Sequence, residues 1–193
     1  MKQKDLTTGK ITSSLLLFAL PMILGNLLQQ LYNVADTLIV GQFLGSNALA
    51  AVGSAYTLMT FLTSILLGLS MGSGAVFSIC YGAGDQKRLK SSIFTSFVLI
   101  AACSLVLNVV VFVFIDPIMR LLQTPDEIYD MMRSYLWVIF IGITATFLYN
   151  YFACLLRALG NSVAPLLFLG FSALLNIGLD LLFVKSDRSH VVL

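Results

Sequence analysis

Five long apolar runs decide what this chain can fold into. They extend over approximately Leu15–Leu44, Ala48–Cys80, Ile93–Ile115, Met131–Leu156 and Val163–Val184. Each exceeds the about 20 residues with which an α-helix crosses a hydrocarbon core of about 30 Å. A backbone in lipid must satisfy its own N–H and C=O groups, so such runs fold as helices. They are too long and too continuous for the alternating strands of a barrel. The first two are long enough to tilt, bend or project beyond the bilayer.

Charge points the same way. The 193 residues are 59% hydrophobic and 10% charged, where a soluble domain carries about 25% charged residues. A water-soluble domain around one core is excluded. The net charge of +2 gives no argument for nucleic acid. The fold class is an all-α polytopic membrane protein with five transmembrane helices. Lys2, Lys4 and Lys10 precede the first run, as in a signal peptide. That run outlasts the about 7–15 apolar residues of a signal and ends in no A-x-A-like site, so it is a retained helix.

Lys and Arg set the expected orientation. With the N-terminus in the cytoplasm, the inner segments hold Lys2, Lys4, Lys10, Lys87, Arg88, Lys90 and Arg157, and the outer ones Arg120, Arg133, Lys185 and Arg188. The outer loop also carries Asp116, Asp126, Glu127 and Asp130. Residues 1–12 then form a cytoplasmic N-terminus, 13–184 the helical body and 185–193 a polar tail. The chain is expected to cross its membrane several times. In the outer loop, "IDPIMRLLQTPDEIYD" predicts an interfacial piece of helix, then a Thr-Pro break with acidic residues opening the next helix. "YGAGDQKRLKSS" predicts a turn; its GAG follows a helix and lacks the Gly-Lys-Ser ending of a phosphate loop. Gly68, Gly72 and Gly74 are expected to permit close helix packing.

Two acids lie inside the runs. Each costs about 2.5–3.5 kcal/mol at a helix centre on an insertion scale, and such residues usually face a protein interior or an aqueous cavity. Asp36 and Asp180 both lie toward the outer ends of their runs, so headgroup contact is an open alternative for each. Their neighbours favour a cavity. Gln29, Asn33 and Asp36 are spaced four and three apart and share a helix face, with Asn26 one turn before. Asn176 and Asp180 share a face in the same way. Bare amides are costly in hydrocarbon, so both stripes are expected to line one cavity, with Asn150 of the fourth run as a third lining group. Carboxylates there can take up a proton, bind Na⁺ with amide oxygens, or attract an organic cation. One site for ion and cationic substrate is the minimum chemistry of an antiporter.

No catalytic set is visible. The single histidine, His190, lies in the polar tail, so enzyme activity is not expected. Cys80, Cys103 and Cys154 show neither CxxC spacing nor a nearby His and are read as small apolar side chains. No cofactor is expected beyond a coupling ion, H⁺ or Na⁺, and no metal beyond Na⁺ at Asp36, Asn176 and Asp180. Pro21 deprives the Leu17 carbonyl of its helical hydrogen bond and favours a kink. It serves as a hinge or is simply tolerated, as prolines in membrane helices often are.

The segments "LPMILGNLLQQLYNVADTLIVGQFLGSNALAAVG", "YGAGD", "RALGNSVAP" and "LLNIGLDLLFV" resemble, in that order, the multidrug and toxic compound extrusion (MATE) transporters of the bacterial DinF-like type. The resemblance covers about residues 10 to 184. It implies twelve helices in two six-helix lobes and export of cationic drugs driven by proton or sodium entry. It implies that Asp36, Asn176 and Asp180 form the cation site of the N-terminal lobe. Gln29, Tyr32, Asn33 and Asn150 then line the substrate cavity, and Pro21 marks the bend of the first helix. Five helices are one short of a lobe. The expectation is therefore a truncated N-terminal part whose partners are small organic cations, membrane lipid, a sixth helix and a second lobe. Two other readings compete. One is a truncated membrane protein that transports nothing. The other is a lipid or oligosaccharide flippase of the same superfamily, disfavoured because only Arg157 approaches a run.

Overall fold

A computed structural model describes the backbone of residues 11–190 and the side chains of 11–179 and Leu182. Five helices follow one another: α1 (Ile11–Phe43), α2 (Gly45–Gly82), α3 (Gln86–Leu121), α4 (Asp126–Ala158) and α5 (Val163–His190). The first four are each long and apolar enough to cross a membrane. Within the described residues, α5 offers the shorter apolar stretch Val163–Leu179. Its backbone continues as helix through Val184, where the polar tail was expected to begin, as far as His190. The molecule is a multi-pass all-α membrane protein. Large side chains such as Phe94 (71% exposed) and Ile141 (70%) point outward, an arrangement stable only where lipid replaces water.

The turns are written in the local sequence. At "YGAGD", Gly84 takes φ +71°, the left-handed cap that a side chain disfavours. Asp85 then caps α3 by accepting a hydrogen bond from the Arg88 N–H at 2.9 Å. The motif is a helix-capping turn. At "TPDE", Pro125 is the N-cap of α4, with Asp126 and Glu127 in the first turn beside the positive end of the helix dipole. The expected interfacial piece before it is the end of α3 itself. Pro117 sits inside α3, and Phe114 leaves helical geometry (φ −109°, ψ 18°), so the helix kinks where a proline interrupts its ladder. In "RALGNSVAP", Gly160 has φ +85°, and Asn161 Oδ1 accepts from the Ala164 N–H at 3.0 Å.

The chain divides into two compact units. One spans Ala50–Gly160 and holds most of α2 with α3 and α4. Its core is a helical stripe on α4 (Ile128, Met132, Leu136, Phe140, Ile143, Phe147, Tyr151) against Ile100, Val111, Ile115 and Met119 of α3, at the i, i+3, i+4 spacing of one helix face. Polar groups link these helices. Asn108 Nδ2 donates to the Phe140 carbonyl at 2.8 Å, and the Tyr151 hydroxyl donates to the Ile93 carbonyl at 2.6 Å. Ser96 Oγ lies 3.0 Å from that hydroxyl, within hydrogen-bond reach. Toward the other end, Arg133 Nε and the Tyr129 hydroxyl both donate to Asp116 Oδ1, at 2.8 and 3.1 Å.

Among the described residues, the second unit comprises 11–49 and 161–190, chiefly α1 and α5. Here glycines set the contact. A Cβ at Gly25 would meet Leu166 and Leu169 at 3.7 and 3.8 Å, and one at Gly170 would meet Leu28 at 3.6 Å. Of the three glycines expected to allow close approach in α2, only Gly74 does so: a Cβ there would lie 3.6 Å from the Cys154 carbonyl oxygen of α4. A Cβ at Gly68 or Gly72 would meet nothing within 4 Å among the described residues. Cys80 and Cys154 are buried and Cys103 partly so, all three as free thiols.

Candidate functional site: the polar faces of α1 and α5

Gly25 fixes which side of α1 meets α5. At about 100° per residue, Tyr32 and Asp36 lie about 20° to either side of Gly25. Asn33 lies about 80° away and Asn26 about 100°. Burial follows this order in part. Tyr32, Asn33 and Asp36 are half-buried, whereas Asn26 and Gln29 are exposed. The polar stripe of α1 therefore splits: its outer portion, from Tyr32 to Asp36, is sheltered and its earlier portion is open.

On α5, Leu166, Leu169 and Gly170 face α1. Ala173 is buried one turn further on, and Asn176 and Ile177 are half-buried beyond it. The register can be counted. Residue numbers rise together across the contact, from Gly25 opposite Leu166 and Leu169 to Leu28 opposite Gly170, so the helices run in the same direction. Asp36 is eight residues beyond Leu28, and Asn176 is six beyond Gly170. At about 1.5 Å per residue these are heights of about 12 and 9 Å above the same contact. The backbone of position 180 comes at about 15 Å, one turn past Asn176. The Asp180 side chain lies outside the described residues.

Asn176 carries the clearest sign of unfinished chemistry. Its Oδ1 is buried and accepts no hydrogen bond from any described group. Leaving a buried acceptor unsatisfied costs about 1–3 kcal/mol. A carbonyl oxygen near the level of a carboxylate suits a hard monovalent cation, or the proton of a neutral carboxylic acid, either of which would satisfy it. Thr37 Oγ1 donates to the Asn33 carbonyl at 2.8 Å, which fixes its hydroxyl within α1. Pro21 lies inside one continuous α1.

The other candidate is in the other unit. Asn150 belongs to the unit of α2–α4 and is half-buried, with Nδ2 donating to the Thr146 carbonyl of its own helix at 2.9 Å. The α1/α5 unit thus holds Tyr32, Asn33, Asp36 and Asn176. Two polar groups of the other unit were not singled out by sequence: Asn108 and Ser96. Their signal is an amide or hydroxyl in an apolar run, a pattern that serves an interhelical bond as readily as a cavity.

Comparison with known proteins agrees with this architecture. The MatE family model matches residues 21–182. The probable multidrug resistance protein YpnP of Bacillus subtilis (strain 168) is 36% identical over 191 residues, covering 99% of this chain and 43% of the relative. The probable multidrug resistance protein YoeA of the same strain is 32% identical, covering 92% and 39%. The chain thus spans about two fifths of the length of these relatives. Among solved structures, the outward-facing conformation of a multidrug resistance MATE family transporter superposes with a TM-score of 0.88 at 24% identity, covering 96% of this chain and 42% of that one. A family model matching most of the chain, on a fold shared with transporters of that family, leads to one assignment: the chain belongs to the MatE family.

Proposed function

We propose that this chain forms the ion-coupling part of a multidrug exporter that exchanges organic cations for H⁺ or Na⁺ across a bacterial inner membrane. The observation that carries the reading is the buried, unsatisfied Asn176 Oδ1 near the level of Asp36. Support also comes from two relatives whose names denote multidrug resistance. In this reading Asp36 holds the ion, Asn176 and Asp180 complete the oxygen set, and Gln29, Tyr32, Asn33 and Asn150 line the path of the organic cation. Binding of one cation discharges the other because both need the same carboxylate. The N-terminus is cytoplasmic, and Pro21 is the point at which α1 bends during the cycle.

Alternating access requires two units that rock about a site between them. The exporter in this proposal therefore also uses a sixth helix and a second lobe, in keeping with the greater length of the relatives. Everted vesicles holding a transporter built on this chain test the function. Ethidium accumulation is expected under an imposed pH or Na⁺ gradient, and the gradient that drives it identifies the ion. Accumulation that ignores both gradients would overturn coupled antiport.

A further inference from the structure

One end of the α2–α4 unit gathers positive charge that the export reading does not use. The C-terminus of α2, the N-terminus of α3 and the C-terminus of α4 meet there. Lys87, Arg88 and Lys90 are exposed in the first turns of α3, and Arg157 is in the last turn of α4. The height of Arg157 follows from the antiparallel register. Tyr151 is level with Ile93 and Ser96 through its hydroxyl. Six residues onward on α4 is Arg157, and six back from Ser96 on α3 is Lys90, so the two stand at one height.

Arg157 is half-buried, and its Nε is buried without a hydrogen-bond partner among the described residues. A buried guanidinium N–H left unpaired is costly. Asp85 is the one acid at this end among the described residues, and its Oδ1 accepts from the Arg88 N–H in capping α3. The only ion pair among the described residues, Arg133 with Asp116, lies at the opposite end. The helix dipoles, two negative ends and one positive, offset only part of the charge of the four cationic side chains.

We propose that this end, built from Lys87, Arg88, Lys90 and Arg157, binds the phosphate of an anionic phospholipid headgroup. The chemistry is that of a planar guanidinium donating to phosphate oxygens, with lysine charges around it. The setting selects lipid over free phosphate. Four basic residues sit where apolar helices leave the hydrocarbon, the position at which basic clusters capture anionic headgroups. The surrounding helix faces are apolar enough to hold acyl chains.

Native mass spectrometry of the full chain in detergent, titrated with phosphatidylglycerol or phosphatidylcholine of matched acyl chains, tests the site. Phosphatidylglycerol is expected to bind at least about tenfold more tightly, and Lys90→Gln or Arg157→Gln to weaken it by about fivefold each. Arg120→Gln, at the other end, is expected to leave the preference unchanged. Should Arg157→Gln lose helical circular dichroism, Lys87→Gln combined with Lys90→Gln, both exposed, decides the question. Equal binding of the two lipids, or a preference that survives these substitutions, overturns the proposal. Displacement of phosphatidylglycerol by millimolar inorganic phosphate assigns the site to a soluble anion and overturns the lipid assignment.

Discussion

At the scale of single residues, Asp36 and Asn176 make separable predictions. Asp36→Asn keeps volume and hydrogen bonding but can neither take up a proton nor neutralise a cation. It is expected to abolish coupled efflux while expression stays near that of the parent, as read by drug resistance and immunoblot. Asn176→Leu removes an acceptor that no described group satisfies. A merely structural Asn would destabilise the fold when lost. Here thermal unfolding in detergent is expected to stay level or rise, because an unpaired buried acceptor costs about 1–3 kcal/mol, while efflux falls. A lowered unfolding temperature with efflux intact would return Asn176 to a packing role. Tyr151 predicts the opposite pattern. Tyr151→Phe deletes the hydrogen bonds to Ile93 and Ser96 and keeps the rings of Phe97 and Phe147 at 5.4 and 6.0 Å. Interhelical hydrogen bonds in membranes contribute about 0.6 kcal/mol on average, with a maximum of about 1.7, so a loss within that range is expected in a denaturant titration, with efflux retained.

At the scale of elements, most of the fold was legible and the packing was not. Run length and the absence of charge are local properties, so the five helices and the break at Thr124–Pro125 can be read directly. The face that one helix turns to another depends on which small residues find a partner. "GLSMGSG" suggests Gly68, Gly72 and Gly74, yet Gly25 and Gly170 set the α1/α5 contact from within runs of leucine. The polar stripe of α1 was legible as a face. That its exposed portion begins before Tyr32 was not, because burial depends on α5. Asp36 and Asn176 could be paired from sequence by their cost in lipid, but their neighbouring heights follow only from the Gly25 and Gly170 register. Cβ contacts of 3.7 and 3.8 Å are ordinary packing, so Gly25→Ala is expected to be tolerated. Gly25→Phe has no room, and is expected to separate α1 from α5 and to lower both unfolding temperature and efflux.

At the scale of the whole molecule, the claims concern orientation and exchange. A membrane-impermeant thiol reagent is expected to label a cysteine placed at Asn47 from outside, and one at Lys87 only after permeabilisation. The reverse pattern would invert the entrance to the cavity. Drug resistance conferred by residues 1–193 alone is expected to equal that of an empty vector, since alternating access needs two rocking units; clear resistance would point to several copies assembling the pathway. The central claim is that organic cation and coupling ion compete for Asp36, and ion release on substrate binding tests it most directly. Tetraphenylphosphonium is added to the purified transporter built on this chain, in weakly buffered detergent solution preloaded with radioactive sodium. Release of about one proton or one sodium ion per molecule is expected, falling to none in Asp36→Asn. Binding without release of either ion, or release undiminished in Asp36→Asn, would contradict the account.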